Sequence, residues 1–199
     1  MKKIGILNYG MGNLFSISFA LKKQGAEAVI TKGGNFQEFD ALVIPGVGSF
    51  GAAMQKIEVK KKELGDFVTS GKPILGICLG LQVLFEESEE SPGVKGLSFL
   101  LGKVVKFRFA DKVPQIGWNT IKRNKLNPLL NGIPNDSSVY FVHSYYPRPL
   151  VSEIKLLESE YGEKFCAGVV DANIYGLQFH PEKSGKVGEL ILKNFIELI

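Results

Sequence analysis

The chain has 199 residues, 45% hydrophobic and 22% charged, enough for one sizeable core, and no apolar run approaches the ~20 residues a membrane helix needs. Its 24 basic and 20 acidic residues leave a net charge of +4, and with no basic arm, no arginine-rich stripe and no zinc spacing, no nucleic-acid partner is expected. The two cysteines, Cys78 and Cys166, form neither a CxxC pair nor a disulfide framework, and the only histidines are His143 and His180, so the expectation is a soluble, cytoplasmic protein with no metal and no cofactor.

Residues 3–8, KIGILN, read as a first strand ending in YGMGN, and LFSISFALKKQG follows as a helix closed by Gly25. AEAVIT and DALVIP read as second and third strands. After the glycine-rich loop PGVGSFGAA a helical stretch runs to about residue 70, then PILGIC reads as a buried fourth strand and LQVLFEESEE as a helix. From Gly102 onward, short runs such as KVVKFRF, SSVYFVHSYY, EIKLLESEY, FCAGVVD and NIYGLQFH are punctuated by Pro, Gly, Asn and Asp, and a helix from about Gly185 to Leu198 closes the chain. The pattern predicts an α/β, flavodoxin-like open and mostly parallel sheet with helices on both faces, a mixed or antiparallel extension in the second half, and a single domain over 1–199. Four loops, at Asn8–Asn13, Pro45–Phe50, Cys78 and the segment after LQF, then fall at the carboxyl ends of strands, where such sheets bind ligands.

In GICLG a strand, one residue and a helix start follow each other, with Gly76 and Gly80 two positions either side of Cys78. That is the pattern of a nucleophile elbow, whose glycines let strand and helix cross closely and whose helix amino terminus favours a thiolate. On this stretch alone a small core cysteine is an equal reading. His180 is followed by Pro181 and Glu182. If the segment stays extended, residues two apart face the same way, so Glu182 can orient the imidazole while its other nitrogen meets Cys78; otherwise it is a strand-end histidine beside a solvated carboxylate. Acyl transfer also needs oxyanion donors, for which Gly46, Val47 and Gly48 of PGVG and the Leu79 amide are candidates. PGVG as a phosphate cradle is weaker, since no GxxxxGK[ST] occurs. Gln82 lies one helical turn past Cys78 and faces the elbow's side, unless it is a surface residue. Trp118, the single tryptophan, is either a core residue or an amphipathic anchor.

The order YGMGNL, PGVGSFG, GICLGLQ, FEESEE, PGVKGL, PQIGWN, YFVHSYY and GLQFHPEKS resembles class I, triad-type glutamine amidotransferases over essentially the whole chain, and among them the glutaminase subunits of imidazole glycerol phosphate synthases. The resemblance implies hydrolysis of the L-glutamine side-chain amide through a thioester on Cys78, with His180 as acid and base and Glu182 as its orienter. It further implies Gln82, Ser144 and Tyr145 as substrate contacts, and a heterodimer with a cyclase built as a (β/α)8 barrel that uses the ammonia in histidine biosynthesis, contacted by Asn13, Trp118, Tyr140 and Lys183. His143 has no proton-transfer role in this reading. The competing expectations are the glutaminase subunit of a pyridoxal phosphate or anthranilate synthase, and an unrelated elbow-cysteine hydrolase or chaperone-like protein on the same core.

Overall fold

The computed structural model describes residues 1–199, and in its first half strand and helix alternate. The elements are β1 (Lys3–Leu7), α1 (Leu14–Lys23), β2 (Glu27–Thr31), β3 (Ala41–Gly46), α2 (Phe50–Ile57), α3 (Lys61–Thr69) and β4 (Ile74–Cys78), which runs straight into the one-turn α4 (Leu79–Gln82). The second half is strand-rich: β5 (Glu87–Ser88), β6 (Gly102–Lys106), β7 (Gln115–Arg123), β8 (Ser137–His143), β9 (Tyr145–Pro149), β10 (Lys155–Tyr161), β11 (Glu163–Asp171) and β12 (Ile174–Leu177), then α5 (Gly185–Glu197).

Nine strands form one sheet in the order β2-β1-β3-β4-β12-β11-β10-β7-β8, and β5-β6-β9 form a smaller one. From β2 across to β12 every pairing is parallel, the flavodoxin-like arrangement. From β12 out to β8 every pairing is antiparallel, which is the extension the punctuated second half predicts.

Burial on both faces explains the unbroken apolar runs. On β3, Ala41 and Val43 enter a core shared with Ile17 and Leu21 of α1 and with Ile191 and Phe195 of α5. Leu42 and Ile44, on the opposite face, enter one shared with Phe50 and Met54 of α2 and Phe67 of α3. Each such fully buried side chain stabilises the fold by about 1.5–3 kcal/mol. The ends of α1 follow local chemistry: Asn13 Oδ1 accepts the Ser16 N–H at 3.2 Å, and Gly25 at φ +90 follows its last turn without a Cβ penalty.

Two local expectations need correction, and one segment unassigned from sequence joins the sheet. The helix expected over LQVLFEESEE is only Leu79–Gln82. Its carboxylates act as loop anchors instead: Glu86 accepts the Gly102 N–H at 2.8 Å, Glu89 that of Lys106 at 3.1 Å and Glu90 that of Phe50 at 2.6 Å. The carbonyls of Val83 and Glu86 are taken by the N–H groups of Leu97 and Gly96, both at 2.8 Å, in place of helical partners. The helical stretch before residue 70 is interrupted by a 3-10 turn at Glu58–Lys60. Finally, the Pro- and Gly-punctuated PQIGWN segment belongs to β7, which pairs with β8 from Gln115↔His143 to Ile121↔Ser137.

Candidate active site

Strands β3, β4 and β12 bring their carboxyl ends side by side, with Gly46 in register with Cys78 and Leu177 with Ile77. Cys78 sits at the break between β4 and α4 with φ 55 and ψ −111, a conformation that costs a non-glycine residue on the order of 1–3 kcal/mol and persists only where packing enforces it. The enforcing contacts are short. A Cβ on Gly80 would lie 1.7 Å from the Ile44 carbonyl oxygen, and one on Gly76 would lie 2.7 Å from that of Gly80. The glycines are therefore demanded by the crossing of strand and helix, and the core-cysteine reading gives way to an elbow.

His180 and Glu182 are both buried, and Nδ1 of the ring lies 2.9 Å from Glu182 Oε1. They meet by a route other than the expected extended strand. β12 ends at Leu177, His180 remains extended, and Pro181–Lys183 forms a single 3-10 turn that swings the carboxylate under the ring. Proline at the first position of a helical turn loses no bond, and the Lys183 N–H closes the turn on the His180 carbonyl at 3.0 Å. With Nδ1–H donating to Glu182, Nε2 is left buried and without a hydrogen-bond partner. Burial opposes the imidazolium, but the neighbouring Cys78 sulfur and the Glu182 carboxylate outweigh it and raise the His180 pKa to about 10.

A cavity of about 260 Å³ opens over the elbow, small enough for an amino acid and lined by Val47, Gly48, Cys78, Leu79, Gln82, Ser144 and Tyr145 among others. Seven expected site residues are therefore brought together. Gly46 is close by but does not line it; a Cβ there would lie 2.4 Å from Tyr9 Oη and 2.9 Å from Leu79 Cβ, so its role is close packing beneath the loop. Leu79 opens α4, which leaves its N–H among the first-turn donors without a helical partner. Gln82 is buried, not a surface residue. Its Nε2 donates to the Tyr145 carbonyl at 2.9 Å and to Gln178 Oε1 at 3.1 Å, which turns its own carbonyl oxygen toward the cavity.

His143 lines the cavity wall as a buried neutral ring. Burial, aided by the charge on His180 and opposed by the Tyr145 carbonyl, lowers its pKa to about 4. The neutral ring donates once, from Nδ1 to the Tyr145 carbonyl at 2.8 Å; Gln115 Oε1 stands 3.0 Å from Nε2, and because a neutral Nε2 then accepts, the amide is read in the flipped sense with its NH2 toward the ring. The other cysteine is inert: Cys166 is buried, and desolvation pushes its thiol up to about 12.

Two polar groups at the site escaped the sequence reading. Glu90 lines the cavity with one carboxylate oxygen held by the Phe50 N–H; nothing in FEESEE distinguishes it from its neighbours. Gln178 is fully buried with its Nε2 3.7 Å from Cys78 Sγ, and the available signal was a polar residue inside an apolar run two positions before His180.

Outside the cavity, Trp118 is 58% exposed, which settles it as a surface residue. It faces Tyr140 across β7 and β8 with ring centroids 6.2 Å apart, and Lys183 Nζ lies 5.7 Å from the Tyr140 ring centre. The Tyr140 carbonyl accepts the His180 N–H at 3.0 Å, so this aromatic patch is one hydrogen bond from the histidine. Asn13 caps α1 and stands apart from that trio.

An elbow cysteine, a histidine held by a buried carboxylate and a glycine-rich neighbouring loop on a flavodoxin-like sheet define a cysteine-dependent amidase of the triad type. The family model for class-I glutamine amidotransferases matches residues 7–198, and the chain belongs to that family. Among curated relatives, it is 47% identical to the imidazole glycerol phosphate synthase subunit HisH of Methanothermobacter thermautotrophicus, over 98% of both chains. It is 43% identical to the same subunit of Methanocaldococcus jannaschii, over 98% of this chain and all of that one. In fold it is similar to PurLQS from Thermotoga maritima, with a TM-score of 0.78 at 19% identity over 100% and 99% of the two chains. A glutamine amidotransferase from the same organism gives a TM-score of 0.69 at 18% identity, over 98% of this chain and 80% of that one.

Proposed function

We propose that this chain is the glutaminase subunit of an imidazole glycerol phosphate synthase, acting in histidine biosynthesis. The observation that carries the chemistry is the elbow at Cys78 beside a buried, unpartnered His180 Nε2 whose other nitrogen is held by Glu182; the relatives named HisH carry the pathway. They leave the pyridoxal phosphate and anthranilate alternatives without support.

His180 Nε2 takes the Cys78 proton, and the sulfur attacks the side-chain amide carbon of L-glutamine. The tetrahedral oxyanion is received by the Leu79 N–H and by an N–H of the Gly46–Gly48 loop. The imidazolium then gives its proton to departing ammonia, leaving a γ-glutamyl thioester. In the second half Nε2 takes a proton from water, hydroxide attacks the thioester, and glutamate leaves as the sulfur is released and reprotonated. The substrate's α-ammonium is matched by the inward-facing carbonyl of Gln82 and the carboxylate of Glu90, and the Ser144–Tyr145 segment walls the amino-acid end. Ammonia passes to a (β/α)8-barrel cyclase docked on the face that carries Asn13, Trp118, Tyr140 and Lys183.

The test is glutamate formation by the chain mixed with a cyclase subunit and its nucleotide substrate. Hydrolysis should rise on adding the cyclase and vanish in Cys78→Ala with the circular dichroism spectrum unchanged. Glutamate formation by Cys78→Ala, or stimulation by a pyridoxal-phosphate synthase and not by the cyclase, would overturn the reading.

A further inference from the structure

The Tyr145 main chain and the side chains of Gln82, Gln178 and Cys78 are joined by a hydrogen-bond chain whose direction is fixed from one end. The Tyr145 main-chain carbonyl can only accept, so Gln82 must turn its NH2 toward it, at 2.9 Å. The second N–H of the same nitrogen points at Gln178, 3.1 Å away, which must therefore offer its carbonyl oxygen. That leaves the Gln178 NH2 for the sulfur of Cys78 at 3.7 Å. Reversing either amide would oppose two donors or two acceptors inside a fully buried site, at a cost of about 1–3 kcal/mol for each orphaned group. The resting S–H has its own acceptor, the Val142 carbonyl at 3.8 Å.

We propose that Gln178 is a positioning residue for the nucleophile: it donates to the Cys78 sulfur and, through its other end, holds Gln82 with a carbonyl facing the substrate. Once the thiol proton has moved to His180, the Val142 carbonyl becomes a repulsive neighbour and the Gln178 N–H becomes a charge-assisted donor. Gln178 therefore favours the ionised sulfur while keeping the substrate contact in register with it. The two amides link the attacking atom and the amino-acid end of the site through one rigid path, with no mobile loop between them.

The kinetic part of the test rests on the glutaminase reading; the chemical part does not. In Gln178→Glu the carboxylate still accepts from Gln82 but sets an acceptor against the sulfur. In Gln178→Met both bonds are lost at nearly constant volume. Alkylation of Cys78 by iodoacetamide at pH 7, followed by mass spectrometry of its own peptide, reads the sulfur directly, and the Cys166 thiol, pushed up to about 12 by desolvation, stays protonated at that pH. Alkylation should slow roughly fivefold or more in both variants. In the complex with the cyclase, Gln178→Glu should lower kcat and leave KM for glutamine within about twofold, whereas Gln178→Met should also raise KM. Wild-type alkylation rates in either folded variant, or parallel changes of kcat and KM in both, would overturn the proposal. If only one variant folds, its alkylation rate decides. Failure of the wild-type complex to hydrolyse glutamine would sink the glutaminase reading and leave the alkylation result standing.

Discussion

Replacing Glu182 by glutamine keeps the size and shape of the side chain and removes only its charge. In the structure that charge is buried, sits 2.9 Å from His180 Nδ1 and has no other cation near enough to pair with it. A hydrogen bond to a charged group contributes about 1.5–3 kcal/mol, and its loss destabilises the imidazolium on which both the ionised sulfur and the protonation of departing ammonia depend. At about 1.36 kcal/mol per factor of ten, kcat/KM for glutamine should fall roughly 10- to 150-fold. The amide can also present its NH2 to Nδ1, which would favour the wrong tautomer and push the loss to the upper end. Without the carboxylate the His180 pKa drops from about 10, so the pH profile should move to lower pH as the rate falls. The assay is glutamate release, coupled to glutamate dehydrogenase, in the assembled enzyme with its nucleotide present. A Glu182→Gln enzyme with kcat/KM within twofold of wild type and an unshifted pH profile would refute the role of the carboxylate.

His143 makes stability pH-dependent. Its folded pKa of about 4 lies below the ordinary 6.5, so the unfolded chain binds the extra proton first and stability is lost as pH falls from 6.5 toward 4, by about 2 kcal/mol at pH 5. His180, whose folded pKa is raised, contributes fully only below 6.5, so between pH 7 and pH 5 it offsets part of the His143 loss, by the same amount in wild type and in His143→Gln. Urea unfolding at pH 7 and pH 5 should show the drop in wild type and a smaller one in His143→Gln; equal drops would count against it. Trp118→Ala should leave stability within about 0.5 kcal/mol, since the ring is exposed, yet weaken cyclase binding about 30-fold or more in titration calorimetry. Unchanged affinity would remove Trp118 from the docking face.

The apolar runs of β1, β3 and β4, alternating with helical stretches, were enough to predict the parallel half of the sheet, because a strand buried on both faces has no room for polar residues. The elbow was half legible: the Gly76 contact with the Gly80 carbonyl is local to GICLG, but the Gly80 contact with the Ile44 carbonyl comes from a neighbouring strand. Signals failed where partners are distant in sequence. FEESEE has helical composition, but Glu86, Glu89 and Glu90 satisfy N–H groups at Gly102, Lys106 and Phe50 that no local pattern announces. Trp118 could be core or surface until β7 was seen to pair with β8 and leave the ring outside. His180 and Glu182 were expected to meet along a strand and meet instead around a proline-started turn. Periodicity therefore determined the fold class from the sequence by itself, and the motif order GICLG and HPE with the resemblance it carries pointed to Cys78 as the nucleophile. Only the tertiary structure decided which buried polar groups face one another, because a hydrogen bond between Gln178 and Cys78 joins residues separated by a hundred positions and depends on strands that become neighbours only in the folded sheet.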